Sequence, residues 1–180
     1  LASLHRQDGD LINADLFLVK ARETAACIID DEQRLEIVSA LQTSTAKLLM
    51  ERAQYSEAIS LLLEALQAFR NAGDTEREIK VYAQLARCSE SIGNVQEAEE
   101  LYIAGRRMAR DAGRFDEFAQ NTKCIIALIR DSDPYQCKVL AGEGYDFALS
   151  YGLLDKAREW HEMCRLYDKY TKPEQEVVYD

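Results

Sequence analysis

The sequence predicts an all-α protein, an α-solenoid of antiparallel helical hairpins. Three observations predict it. Apolar residues recur at helical spacing along nearly the whole chain, and alternation over five or more residues is almost absent. Two prolines and eight glycines in 180 residues leave little room for long loops. One helical pattern returns four times: a lead residue, a small residue three positions on, a large one at seven and a small one at ten. Its copies begin at Leu11, Tyr55, Val95 and Lys138, so each repeat holds two helices and is about 40–44 residues long.

Taken in order, Leu1, Ala2 and Leu4 read as the tail of a helix with no Met and no cap, so the expectation is a domain excised from a longer protein. A turn at Asp8-Gly9-Asp10 leads to the first copy: Leu11, Ala14, Leu18, Ala21. The second helix, about 32–52, puts Leu35, Val38, Leu41, Thr45, Leu48 and Leu49 on one face, with Ala46 where a neighbouring backbone approaches. The third, about 56–71, follows the lead Tyr55 and carries Ala58, Leu62 and Ala65; Gly73 is its left-handed cap. Thr75 with Glu78 reads as a capping box opening the fourth helix, which carries Ile79, Tyr82, Leu85 and Ala86. After the turn Ile92-Gly93-Asn94, Asn94 with Glu97 caps a fifth helix bearing Val95, Ala98, Tyr102 and Gly105, which stops at Gly113.

The sixth helix, about 115–130, is very apolar, with Phe118, Ile125, Ile126, Leu128 and Ile129. Asp133-Pro134 stops it and starts the next, with Asp as cap and Pro in the first turn. The seventh carries the weakest copy, Lys138, Ala141, Tyr145 and Ala148, and ends at Gly152; Gly142 and Gly144 inside it predict close helix packing. The eighth, about 153–170, carries Ala157, Trp160, Met163, Cys164 and Tyr167. Residues 1–170 thus read as one repeat domain, and 171–180, with Pro173 and no helical period, as an extended or disordered tail.

These patterns resemble the tetratricopeptide-repeat (TPR) family. There the second helix of each hairpin follows a Gly-containing turn with a large residue, then Ala, then Tyr or Phe, then a small residue. Gly93, Val95, Ala98, Tyr102 and Gly105 match, as do Gly9, Leu11, Ala14, Leu18 and Ala21. Leu85-Ala86 matches the first-helix pattern. The chain departs from the family in a repeat longer than the usual ~34 residues and in lacking the terminal proline. The resemblance implies a right-handed α-solenoid of about eight helices, with the first helices of the hairpins lining a concave face that takes an extended peptide or a helix. The chaperone-binding branch clamps a carboxylate with a Lys and Asn set; no complete set can be traced here.

By order, the groove-lining helices are the second, fourth, sixth and eighth. The non-core positions of the first three include Thr43, Lys47, Lys80, Gln84, Arg87, Gln120, Lys123 and Arg130. They are mostly basic or amide in a chain of net charge −10, with 32 acidic against 22 basic residues. The expectation is a locally positive groove for an acidic segment; the alternative is ordinary solvated helix faces. The acidic balance disfavours nucleic acid and anionic membrane as partners. Trp160, Tyr167 and Tyr170 read as core and end-cap packing; the alternatives are a homodimer face or the face on which a missing continuation of the solenoid packs. The tail, with Val177-Val178 among acids, is either a frayed end or a segment that docks in a groove.

Chemistry is sparse. His161-Glu162-Met163-Cys164-Arg165 lacks the second His of a zinc-protease helix. Five scattered cysteines fit neither a disulfide framework nor a zinc site, and read as small apolar residues in a reducing compartment. No enzyme activity, metal or cofactor is expected. The leading function is a noncatalytic, cytoplasmic protein–protein interaction module. The alternative is a ligand- or peptide-sensing domain of a larger signalling or transcription-regulating protein, and a third reading is an architectural spacer.

Overall fold

A computed structural model describes residues 11–27 and 30–170, and all regular structure among them is helical. The helices are α1 (Leu11–Ala25), α2 (Asp31–Glu51), α3 (Tyr55–Ala72), α4 (Thr75–Ser91), α5 (Val95–Asp111), α6 (Phe115–Ile129), α7 (Pro134–Ser150) and α8 (Leu154–Leu166). The expected helix at Leu1–Leu4, the turn at Asp8–Asp10 and the tail at 171–180 lie outside the described residues. The chain forms two compact units, Leu1–Met108 and Ala109–Asp180. In the first, α1 packs on α2, α2 on α3 and α3 on α4, and α2 also touches α4. In the second, α6 packs on α7 and α7 on α8.

The short turns are built from one repeated device. At Gly73 the chain enters the left-handed region (φ 67°), its N–H bonds Arg70 O at 3.1 Å, and the Asp74 N–H reaches back to Phe69 O at 2.9 Å. This satisfies two of the carbonyls that a helix end leaves open. Gly93, Gly113 and Gly152 repeat it. Between α2 and α3 the position falls to Ala53, at φ 58°, with the same two bonds from Ala53 and Gln54. A Cβ there is strained, so sequence alone gave no sign of the cap.

One helix start agrees with expectation, one is corrected, and the expected Asn94 cap shows a side-chain bond only. Asp133 caps α7, accepting from Gln136 N at 2.9 Å with Pro134 in the first turn. Asn94 directly precedes α5, and its Nδ2 donates to Glu97 Oε2 at 3.3 Å. At α4 the cap is Asp74, accepting from Arg77 N at 3.0 Å, and Thr75 is already helical. With Gly73 closing α3, Asp74 is the first residue free to bend in, and its carboxylate is the stronger acceptor. α8 also ends earlier than expected, at Leu166, with Tyr167 as its cap residue.

The repeat pattern is the core. Positions three, seven and ten lie within about 60° of one another at 100° per residue. Ala58, Leu62 and Ala65 of α3 are fully buried, as are Ala98, Tyr102 and Gly105 of α5 and Ala141 and Ala148 of α7. Their methyls and hydrogens let neighbouring helices approach closely, while each buried Leu contributes roughly 2 kcal/mol. Leu18 is buried in α1; the side chain of Ala14 lies outside the described residues. The lead positions vary: Tyr55 packs against the core, Val95 is exposed, and Lys138 pairs with Asp168 at 3.2 Å, so Lys in the fourth copy is tolerated. Leu35, expected on the buried face of α2, is half exposed, whereas Ala46 and Leu48 are buried.

In the second unit, Phe118 and Phe147 meet edge-on at 4.6 Å. Gly144 occupies the position six beyond the lead that holds Phe17, Leu61 and Leu101 elsewhere. A Cβ on Gly144 would lie 2.4 Å from Trp160 Cδ2, so the missing side chain is the space that the indole of α8 fills. Gly142, by contrast, has nothing within 4 Å of its Cβ position.

Candidate functional site

The candidate residues fall into three same-face sets. Thr43 and Lys47 lie one turn apart on α2. Lys80, Gln84 and Arg87 follow at spacings of four and three on α4. Lys47 stands six residues before Ala53 and Arg87 six before Gly93, the matching left-handed caps, so the two cations are equivalent positions on helices that touch. Within this set the side chains differ in availability. Thr43 Oγ1 is spent on Ala40 O at 2.8 Å. Lys80 pairs with Glu76 one turn back. Arg87 is exposed, and Gln84 Oε1 is buried without a hydrogen-bond donor.

On α6, Gln120 and Lys123 share a face, and Arg130 sits at the helix C-terminus. Gln120 Nε2 lies 3.5 Å from Cys124 Sγ. Lys123 Nζ lies 5.6 Å over the Trp160 ring, a cation–π contact that takes part of its charge out of play. Arg130 is loosely paired with Asp131 at 3.9 Å. α8 does not continue the basic pattern: seven residues beyond Gly73, Gly113 and Gly152 stand Lys80, Gln120 and Glu159.

A cavity of about 380 Å³ opens where α2, α3 and the start of α4 meet. Leu35, Ser39 and Phe69 line it, and Arg77 spans its edge, paired with Glu36 at 2.8 Å and Asp74 at 3.2 Å. The Arg77 guanidinium also lies 5.6 Å over the Phe69 ring. Sequence reading missed this site because its residues are far apart in the chain and carry no motif.

Groups with chemical potential are few. His161 lies beside Tyr145, ring centroids 5.7 Å apart, and no group of three His, Cys, Asp or Glu among the described residues could hold a metal. All five cysteines are free thiols. Cys88 and Cys137 are buried, as small apolar residues would be, but Cys27 is exposed on the turn after α1. Burial pushes the Cys88 thiol up to about 11. Tyr102 is buried with its hydroxyl donating to Glu90 at 3.2 Å, a partner the repeat pattern could not announce. Asn121 is fully buried with its Oδ1 unpaired, its amide nitrogen donating to Glu117 O at 2.8 Å. No helix among the described residues is long and apolar enough to cross a membrane.

No family model matches the sequence, and no curated protein matches it. Solved structures do match. The crystal structure of BtubC (BKLC) from P. vanneervenii is 14% identical, with 99% of this chain and 83% of that one covered and a TM-score of 0.53. The TPR-like repeats of a putative kinesin light chain from Podosopora anserina are 20% identical over 92% of this chain and 90% of that one, with a TM-score of 0.47. At 14% identity the likeness to BtubC is one of fold alone; within each unit the helices of this chain pack on one another in chain order, as those of a TPR-like solenoid do.

Proposed function

We propose that this chain is a noncatalytic protein-interaction module that takes an acidic peptide or helix on the α2–α4 face. The observation that carries the reading is the pairing of Lys47 with Arg87 at equivalent positions of two touching helices. Lys80, paired with Glu76, and the half-buried Gln84 continue the same face of α4. A local positive strip on a chain of net charge −10 favours an acidic segment over a basic one and steers it there. Gln120, Lys123 and Arg130 form a separate set on α6, with Lys123 held by Trp160. The test is binding of an array of fluorescent peptides graded in Asp and Glu content. Affinity rises with acidity and falls with salt, and Lys47→Glu with Arg87→Glu lowers it at least about tenfold. Equal binding by the double variant would remove the assignment.

A second reading, ligand sensing, is favoured by the cavity under Arg77. Its volume and its apolar floor at Phe69 and Leu35 suit a small molecule that competes with Glu36 for the guanidinium. Thermal stabilisation by small ligands that is lost in Phe69→Ala, with no peptide captured, would favour it over the first.

A further inference from the structure

Helices α1, α3 and α5 each leave one large apolar residue in water at the same place in the repeat. Eight positions beyond the lead stand Val19, Leu63 and Ile103, exposed by 49%, 52% and 47%. At 100° per residue this position lies about 130° round the helix from the buried positions, on the outward side. A single exposed apolar side chain means little. The same exposure in the same register of three second helices marks a shared outward position of the repeat.

The charges around Ile103 indicate what covers it. Glu100 stands three residues before it and Arg107 four after, both exposed. Neither has a hydrogen-bond or ion-pair partner among the described residues, whereas Arg70, Arg77 and Lys80 of the neighbouring helices are all paired. With 1.5 Å of rise per residue, the acid lies about 4.5 Å to one side of Ile103 and the base about 6 Å to the other. A strip of this kind is complementary to itself when inverted. A two-fold axis through Ile103, perpendicular to α5, sets Glu100 against the second copy's Arg107 and Arg107 against the second copy's Glu100. Ile103 then meets its own copy between them. A parallel alignment would bring acid onto acid and base onto base, so the charges also fix the direction.

We infer that the outward face of α5 takes a second copy of this chain in an antiparallel, two-fold contact. The surface is distinct from the α2–α4 face and independent of what binds there. It also differs from the terminal-helix face expected from Trp160, Tyr167 and Tyr170, of which Trp160 is buried. Where α4 and α6 bury Ile79 and Ala119, or Ala86 and Ile126, α8 has Arg158 and Arg165, exposed by 77% and 63%. That face of α8 carries exposed charge.

A contact centred on one helix is small, so the dimer is weak and salt-sensitive. Sedimentation velocity of the full chain, run up to about 1 mM, shows a concentration-dependent dimer that Ile103→Lys abolishes. Glu100→Arg and Arg107→Glu, each alone, weaken it at least about tenfold by facing like charges across the axis. Combined in one chain, the two exchanges restore it. All three residues are exposed, and unchanged circular dichroism shows that the variants fold. A monomer at all concentrations, a dimer indifferent to Ile103→Lys, or a double exchange no better than its singles would each overturn the proposal.

Discussion

Gly142 and Gly144 differ by two positions on one helix, and the structure assigns opposite signs to the same substitution at each. Alanine in a helix interior is favoured over glycine by about 1 kcal/mol through backbone entropy. At Gly142 the added methyl meets nothing within 4 Å, so Gly142→Ala gains most of that amount. At Gly144 the methyl would lie 2.4, 2.6 and 2.7 Å from three atoms of the Trp160 indole. Carbon atoms pack best near ~3.5–4.0 Å, so α8 or the ring must move by about 1 Å. Overpacking costs roughly 1–3 kcal/mol, and with three contacts under 3 Å the upper part of that range, about 2–3 kcal/mol, applies, which leaves a net loss of about 1–2 kcal/mol. In a chain of this size, each kcal/mol moves Tm by about 2–4 °C. Trp160 is the only tryptophan, so its fluorescence reports this unit directly. The expected result is a rise of about 3 °C for Gly142→Ala and a fall of about 3–6 °C for Gly144→Ala, with a blue-to-red change in emission only in the second. Equal rises in both would refute the knob-in-hole account of α7 and α8.

Ala53→Gly relieves the one left-handed alanine and stabilises the first unit by about 1 kcal/mol in urea denaturation, whereas Gly73→Ala costs about as much. Asp133→Ala leaves the Gln136 N–H without its acceptor and costs about 1 kcal/mol, measurable in the same way. The Cys88 thiol has a folded pKa of about 11 against an ordinary 9.0, so the folded state holds its proton more tightly. Its contribution to stability is complete below pH 9 and is lost as pH rises from 9 towards 11; Cys88→Ala flattens that part of the stability–pH curve. Thiol labelling at pH 8 modifies Cys27 rapidly and leaves Cys88 and Cys137 until unfolding.

Parts of the site were legible because they obey a local period. Lys80, Gln84 and Arg87 could be placed on one face of α4 from spacing alone. Their states could not. That Lys80 is paired with Glu76, Thr43 is bonded to its own helix, and Lys123 lies over Trp160 depends on side chains whose directions no spacing encodes. The cavity beneath Arg77 draws on three helices, and the self-complementary strip on α5 emerges only when it is known which apolar residues are left in water.

The sequence by itself determined the helices, most of their ends, and the small residues at which they touch. Those features follow from a 3.6-residue period and from the φ values that glycine, proline and capping acids allow, which are properties of neighbours in the chain. Tertiary structure decided what filled the space beside Gly144, which acid met Arg77, and that Ala53 would act as a glycine. These depend on volume and charge brought together from distant segments, and a pattern read along the chain holds no record of what lies across it.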